Sequence, residues 1–226
     1  MTRSTLQQVM TRDVVTAGPE TPFKRMVELL AEHRISALPV VDGHNRVVGV
    51  VSEGDLLVKE ERSDQPERHL GFWRGREVRR KAEGQCAREL MTAPAITVPL
   101  TATVAEAARL MHARHIKSVP VVDPSGQLVG IASRVDLLGV FLRDDPVLAE
   151  QVSREISEGA QWAAGGSVHV GAADGVVTLR GRLPRRSDVL LAGRLAAAVD
   201  GVVGVRNHLT FDYDDVQHES LVRPNW

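Results

Sequence analysis

A single cysteine, Cys86, stands among the 226 residues. One thiol excludes an internal disulfide framework and a four-cysteine zinc site, so nothing argues for an oxidising compartment. No apolar run reaches the roughly 18 residues that a bilayer-spanning helix needs. The opening residues, MTRSTLQQVMTRD, hold no apolar h-region of a secretory signal. The expected compartment is therefore the cytoplasm, with peripheral attachment to a membrane left open. An excess of either charge is missing too. With 28 Lys and Arg against 29 Asp and Glu, overall electrostatics give no argument for nucleic acid as a partner. Gly-x-x-x-x-Gly-Lys-Ser/Thr, Gly-x-Ser-x-Gly and His-Glu-x-x-His are all absent, and with them the phosphate loop, the serine nucleophile elbow and the zinc-binding helix. His112 and His115 lie three apart without a third donor close by, which is too few convergent ligands for a metal. No catalytic residue, no cofactor and no metal site is expected.

What the chain does contain is a segment written twice. Met10-Thr11 recurs as Met91-Thr92, Thr16 as Thr97, and Pro39-Val40-Val41-Asp42 as Pro120-Val121-Val122-Asp123. Gly49, Ser52 and Asp55 recur as Gly130, Ser133 and Asp136, in one unbroken register. A repeat that carries polar residues as faithfully as apolar ones describes two copies of one small domain packed as a pair.

Each copy reads as strand, helix, strand, strand, helix. Val14-Val15-Thr16 is a short β-branched run, and Thr21-Pro22 predicts a helix start, Thr as cap and Pro at the first helical position. Met26, Val27 and Leu30 follow at helical spacing. Residues 37–41 and 47–51 predict two buried strands joined by the turn Asp42-Gly43-His44-Asn45, with Asp123-Pro124-Ser125-Gly126 as its counterpart. The apolar faces of the first helices, with Met26, Leu30, Ala107 and Met111, suggest surfaces for pairing.

The copies span 1–58 and 90–143. Between them, 59–89 is a linker of mixed charge, whose basic stretch Arg74 to Lys81 lies beside Phe72 and Trp73 and could suit an anionic surface. A third unit occupies 146–213. It opens on the cap-like Asp145-Pro146, shows Leu148, Val152 and Ile156 along one helix face, turns at Asp174-Gly175 into a hairpin, and continues with a helix over 188–199 and a strand over 206–211. An acidic tail fills 214–226.

One motif invites chemistry. At each strand-to-helix junction stand Gly49-Val50-Val51-Ser52-Glu53-Gly54-Asp55 and Gly130-Ile131-Ala132-Ser133-Arg134-Val135-Asp136. A serine and the free amides of a first helical turn can face an anion, and an aspartate three residues on can offer two oxygens to a cis-diol. Ser-x-x-Asp is also a capping box that needs no ligand. Both readings stay open locally, and they are compatible.

The tandem pattern of Val-Met-Thr, hydrophobic-Pro-Val-Val-Asp and Gly-hydrophobic-x-Ser-x-x-Asp-Leu-Leu resembles the CBS-domain pair, or Bateman module, over about residues 5–143. That resemblance implies two β-α-β-β-α copies, an α/β fold with pseudo-twofold symmetry, homodimer formation, and adenosine-containing ligands in clefts between the copies. It also implies ribose contacts from Asp55 and Asp136, ribose or phosphate contacts from Ser52 and Ser133, and an adenine pocket near Thr16 and Thr97. The ligand class comprises AMP, ADP and ATP, with S-adenosylmethionine, NAD or a cyclic dinucleotide as alternatives. The copies differ in charge, with Glu53 against Arg134 and Ser36 against Lys117. Cations favour phosphate, so the tighter site is expected in the second copy, with Lys117 and Arg134. His33, Arg34, Arg114 and His115 stand at helix ends, as solvated surface or added charge at the seam.

The third unit resembles a BON domain, on Val-x-Val, Asp-Gly-Val-Val-Thr-Leu-Arg-Gly and Gly-Val-x-x-Val-x-Asn. This implies a small α-β-β-α-β fold of α+β type that attaches to phospholipid or to a protein partner, with Arg180, Arg182, Arg185 and Arg186 as candidate contacts for anionic headgroups. Together these features describe a cytoplasmic bacterial regulatory protein that senses an adenine nucleotide. Its rivals are a structural adaptor without ligand sensing and a nucleic-acid-binding protein using residues 74–81.

Overall fold

A computed structural model describes residues 3–64, 81, 83–159 and 166–216. The chain falls into two compact units, one of Thr5–Leu137 and one of Leu138 onward with the N-terminal residues through Ser4. In the first unit, copy 1 contains α1 (Leu6–Val9), α2 (Phe23–His33), β1 (Ala37–Val41), β2 (Val47–Ser52) and α3 (Glu53–Asp64). Copy 2 contains α4 (Ala87–Leu90), β3 (Val98–Pro99), α5 (Val104–Ala113), β4 (Ser118–Val122), β5 (Leu128–Ser133) and α6 (Arg134–Leu138). The apolar, β-branched runs pair antiparallel in equivalent registers, Ala37 opposite Ser52 and Ser118 opposite Ser133. Each pair therefore ends with its serine at the mouth of the following helix.

The turns follow their side chains. Asp42 Oδ1 accepts the amides of His44 and Arg46, both at 2.9 Å, and Asp123 Oδ1 accepts those of Ser125 and Gln127 at 2.8 and 3.0 Å. These bonds favour the charged form. The amide of Arg46 foremost holds the Asp42 carboxyl below its ordinary 3.8, and the hydroxyl of Ser125 foremost does the same at Asp123.

Helix α2 starts differently from the expectation. Pro22, extended at φ −66° and ψ 153°, is its N-cap, and the Thr21 hydroxyl accepts the Gly18 amide at 2.9 Å instead of capping the helix. A residue before proline is pushed out of the helical region, which moves Thr21 one step too far from the first turn. In copy 2 the position of Pro22 is taken by Thr103, which does cap with its side chain, taking the amide of Glu106 at 3.2 Å.

The first strands are also shorter than expected. Copy 1 keeps only a parallel bridge between Ala17 and Val40, and copy 2 a two-residue strand with Val98 beside Val121. Upstream of these strands the two copies exchange segments. Thr11 trades both backbone hydrogen bonds with Ile131 of copy 2, each 2.9 Å. Thr92 does so with Val50 of copy 1, at 2.9 and 3.1 Å. The methionine before each threonine lies over a glycine: a Cβ on Gly49 would stand 2.8 Å from Met91 Cγ, and one on Gly130 would stand 3.0 Å from Met10 Cγ and 3.1 Å from the Thr11 carbonyl. Backbone and side chain thus dock each N-terminal segment on the other copy.

The faces proposed for pairing belong to the core instead. Met26 and Leu30 pack with Leu38, Val40 and Val51, and Ala107 and Met111 are buried as well. Their helical spacing marked an inward face, and burial against the strands of the same copy is what it serves. Large apolar residues that stay exposed are Val27 on α2, Leu57 on α3, and Val135 and Leu138 on α6.

In the second unit α7 (Asp145–Gly159) and α8 (Arg186–Ala197) accompany a sheet of β6 (Ser167–Ala173), β7 (Val176–Arg185) and β8 (Gly204–Tyr213). The strand order is β6-β7-β8, the first pair antiparallel and the second parallel. The expected Leu148, Val152 and Ile156 face joins Leu179, Leu183 and Leu195 in one core. Asp174 and Gly175, at φ 52° and 72°, form the hairpin turn, as a primed turn requires. Asp145 does more than start α7: its two carboxylate oxygens accept the amides of Asp174 and Gly175, both at 2.9 Å.

Gly49→Ala and Gly130→Ala are each expected to destabilise the chain by about 1–3 kcal/mol, the cost of overpacking, as measured by urea unfolding. Asp42→Ala and Asp123→Ala should cost stability near neutral pH. Because a depressed carboxyl stabilises above its unfolded pKa and ceases to do so as pH falls through its folded one, the deficit should shrink as the pH is lowered through the acid range below the ordinary carboxyl pKa of 3.8. Parallel thermal melts across that range measure it.

Candidate functional site

The Ser-x-x-Asp motifs adopt one geometry. In copy 1, Asp55 Oδ2 accepts the Ser52 amide at 2.8 Å and hydroxyl at 2.7 Å. In copy 2, Asp136 Oδ2 accepts both from Ser133 at 2.7 Å. Each serine hydroxyl in turn receives the aspartate amide, at 3.4 and 3.3 Å. The capping role is therefore satisfied by one carboxylate oxygen alone, which leaves the other, Oδ1, for a different partner.

Those second oxygens differ. Asp55 Oδ1 receives the ammonium of Lys81 at 2.5 Å and the hydroxyl of Thr92 at 3.3 Å, and Lys81 also donates to Thr92 Oγ1 at 2.8 Å. The side chains of Lys81 and Asp55 are 8% and 12% exposed, so this is a buried ion pair. Among the described residues no donor reaches Asp136 Oδ1. Sequence reasoning missed Lys81, which it placed at the end of the basic stretch that could suit an anionic surface. The rest of that stretch, with Phe72 and Trp73, lies outside the described residues.

Next to Asp55 opens a cleft of about 380 Å³ whose walls come from both copies, within the usual size of small-molecule sites. Copy 1 contributes Ser36, Ala37, Val50, Ser52 and Asp55, and copy 2 contributes Thr92, Ile96, His115, Lys117 and Ser118. The segment exchange creates this mixed lining, because pairing with Val50 is what carries Thr92 and its neighbours to copy 1. Thr16, Thr97, Ser133, Arg134 and Asp136 lie outside the lining of this cleft, with both threonines half-buried in their own copies. Lys117, which the sequence groups with Arg134, sits instead at the rim with Ser52 and Asp55, its Nζ 3.6 Å from Glu53 Oε2. Arg134 turns its Nε to the Ile116 carbonyl at 3.1 Å. Among the described residues no group of His, Cys, Asp and Glu could hold a metal ion.

Family comparison decides what this pair of copies is. Models of the CBS domain match residues 6–61 and 87–143, and that of the BON domain matches 144–213. The chain is a tandem CBS-domain protein with a BON domain. Its CBS pair is 30% identical over 152 residues to the chloroplast CBS domain-containing protein CBSX1 of Arabidopsis thaliana, covering 62% of this chain and 64% of that one. It is 30% identical over 133 residues to an inosine-5'-monophosphate dehydrogenase of Thermoplasma acidophilum, with 58% of this chain against 22% of the enzyme. The chain thus spans less than two thirds of these relatives. Among solved structures, the crystal structure of the Arabidopsis CBSX2 in complex with AMP superposes with a TM-score of 0.55 at 30% identity, covering 62% of this chain and 97% of that one.

In the BON domain the four candidate arginines are not equivalent. Arg182 is ion-paired to Asp212, and Arg186 Nη1 meets Asp214 Oδ2 at 2.8 Å. The neighbouring Asp215 takes the amide and hydroxyl of Ser187, the hydroxyl foremost holding its carboxyl below the ordinary 3.8. Arg180 lies in register between His169 of β6 and His208 of β8, a basic row invisible until the strands are paired. No helix among the described residues is long and apolar enough to cross a membrane.

Asp55→Ala should be the more damaging of the two motif substitutions, costing about 3 kcal/mol because it strands the buried Lys81 ammonium. Asp136→Ala should cost only about 1 kcal/mol, a lost cap. Chemical denaturation of both variants gives the comparison.

Proposed function

We propose that this chain is a non-catalytic regulatory protein whose CBS pair binds an adenosine-containing nucleotide of the AMP, ADP or ATP kind and whose BON domain attaches it to a protein partner or a phospholipid surface. The observation that carries the reading is the placement of Ser-x-x-Asp beside a cleft built from both copies, in a pair that superposes on a relative solved with AMP. The serine hydroxyls and aspartates would meet ribose and phosphate, and Ile96 with the strand ends Ala37 and Val50 would supply an apolar wall for the base. The tighter site is assigned to the Asp136 motif, whose Oδ1 has no donor among the described residues and can accept a diol hydroxyl. Exposed Val27, Leu57 and Val135 on α2, α3 and α6 support homodimer formation.

Regulation requires that the nucleotide bind two arrangements of the protein unequally. Thermal unfolding with AMP, ATP and S-adenosylmethionine should show stabilisation growing as RT ln(1 + [L]/Kd), about 2.7 kcal/mol at a hundredfold excess over Kd, and Asp136→Ala should remove most of it. No stabilisation by any of the three, in folded protein stripped of co-purified nucleotide, would favour an adaptor in which Ser-x-x-Asp only caps helices. For the BON domain, Arg180→Glu should weaken sedimentation with phosphatidylserine vesicles if the basic sheet face makes the contact. Unchanged sedimentation would point to a protein partner.

A further inference from the structure

We propose that Lys81 is a built-in competitor for nucleotide in the Asp55 cleft, so that the two copies respond to ligand at different concentrations; this rests on the nucleotide reading above. A carboxylate offers about four acceptor positions, and at Asp55 four donors are in place: the Ser52 amide and hydroxyl on Oδ2, and the Lys81 ammonium and Thr92 hydroxyl on Oδ1. A cis-diol needs two of these positions, and the serine contacts close the helix cap. The only contacts that can yield without uncapping α3 are those of Lys81 and Thr92. The Thr92 hydroxyl can turn away while its backbone stays paired with Val50, so the charged Lys81 end is the donor that must leave the site.

Lys81 belongs to neither copy of the repeat. It comes from the connector, has no counterpart at Asp136 among the described residues, and breaks the equivalence of two motifs whose other hydrogen bonds agree within about 0.1 Å. Its ammonium is buried with its partner rather than solvated at the rim like Lys117. Nucleotide entry at Asp55 must therefore release Lys81 from its place against copy 1. Low ligand concentration fills the Asp136 site; high concentration fills the Asp55 cleft and frees the connector residue.

Isothermal titration with AMP, ATP and S-adenosylmethionine, on the full chain and on Asp136→Ala, Lys81→Met and their combination, tests this. The natural chain should show one tight and one weak event. In the Asp136→Ala background, Lys81→Met should tighten the remaining event roughly 10–100-fold, the worth of one charge-assisted hydrogen bond. Unchanged or weaker binding with Lys81→Met would overturn the proposal while leaving the nucleotide reading intact. Binding of none of the three compounds to any form would remove both. Should Lys81→Met fold poorly, amine-directed labelling of the natural chain with mass-spectrometric readout replaces it. Lys81 should be protected alone and with ligand at the tight event, and should become labelled as the weak event saturates. Protection that persists through saturation of both events would overturn the proposal.

Discussion

Met10 over Gly130 and Met91 over Gly49, each followed by a threonine paired to the opposite copy's strand, hold the CBS pair together, and much of the site's geometry depends on that exchange. Without a side chain, each glycine lets a methionine lie directly on the strand, and the backbone pairs beyond it satisfy groups that an isolated copy would leave open. The result is a reciprocal clamp. It explains why glycine and Met-Thr repeat together, and why neither copy's β1–β2-type sheet is complete on its own terms.

The same clamp makes the cleft a joint product. Thr92 reaches Asp55 only because it is paired to Val50, and Lys117 meets Glu53 across the boundary between the copies. Charge asymmetry that seemed to belong to one copy is thereby redistributed: the cation of copy 2 stands beside the carboxylate of copy 1. Superimposed on this near-symmetry is the buried ion pair of Lys81 with Asp55. Burying an ammonium is tolerated only with a close counter-charge, and Asp55 supplies it with an oxygen that at Asp136 has no donor among the described residues. Two equivalent positions of the repeat thus carry carboxylates in different surroundings.

The BON domain is organised by local carboxylates. Asp145 holds the hairpin turn by its two amides, while Asp212, Asp214 and Asp215 engage Arg182, Arg186 and Ser187 at the end of β8. Anionic headgroups would have to compete with the aspartates for two of the arginines, whereas Arg180 stands in the row between His169 and His208. A cluster of like charges in sequence is therefore a poor guide to surface potential where the chain's own acidic strand end folds back on it.

Much of the fold was legible in the residues themselves. Apolar β-branched runs bounded by Asp-containing turns give β1, β2, β4 and β5, Asp-Gly gives the BON hairpin, and four-residue spacing gives the Leu148, Val152 and Ile156 face. All of these are short-range effects of backbone preference and periodicity. The Ser-x-x-Asp geometry was legible for the same reason, since its hydrogen bonds close within three residues. Tertiary structure alone decided that Met10 and Met91 dock on the opposite copies, that Met26 and Met111 serve the core and not a partner, that Lys117 faces Glu53, and that Lys81 lies buried against Asp55, 26 residues earlier in the chain. Such pairings depend on which distant segments share a strand edge or a dry pocket, a matter of packing and desolvation that no local pattern encodes.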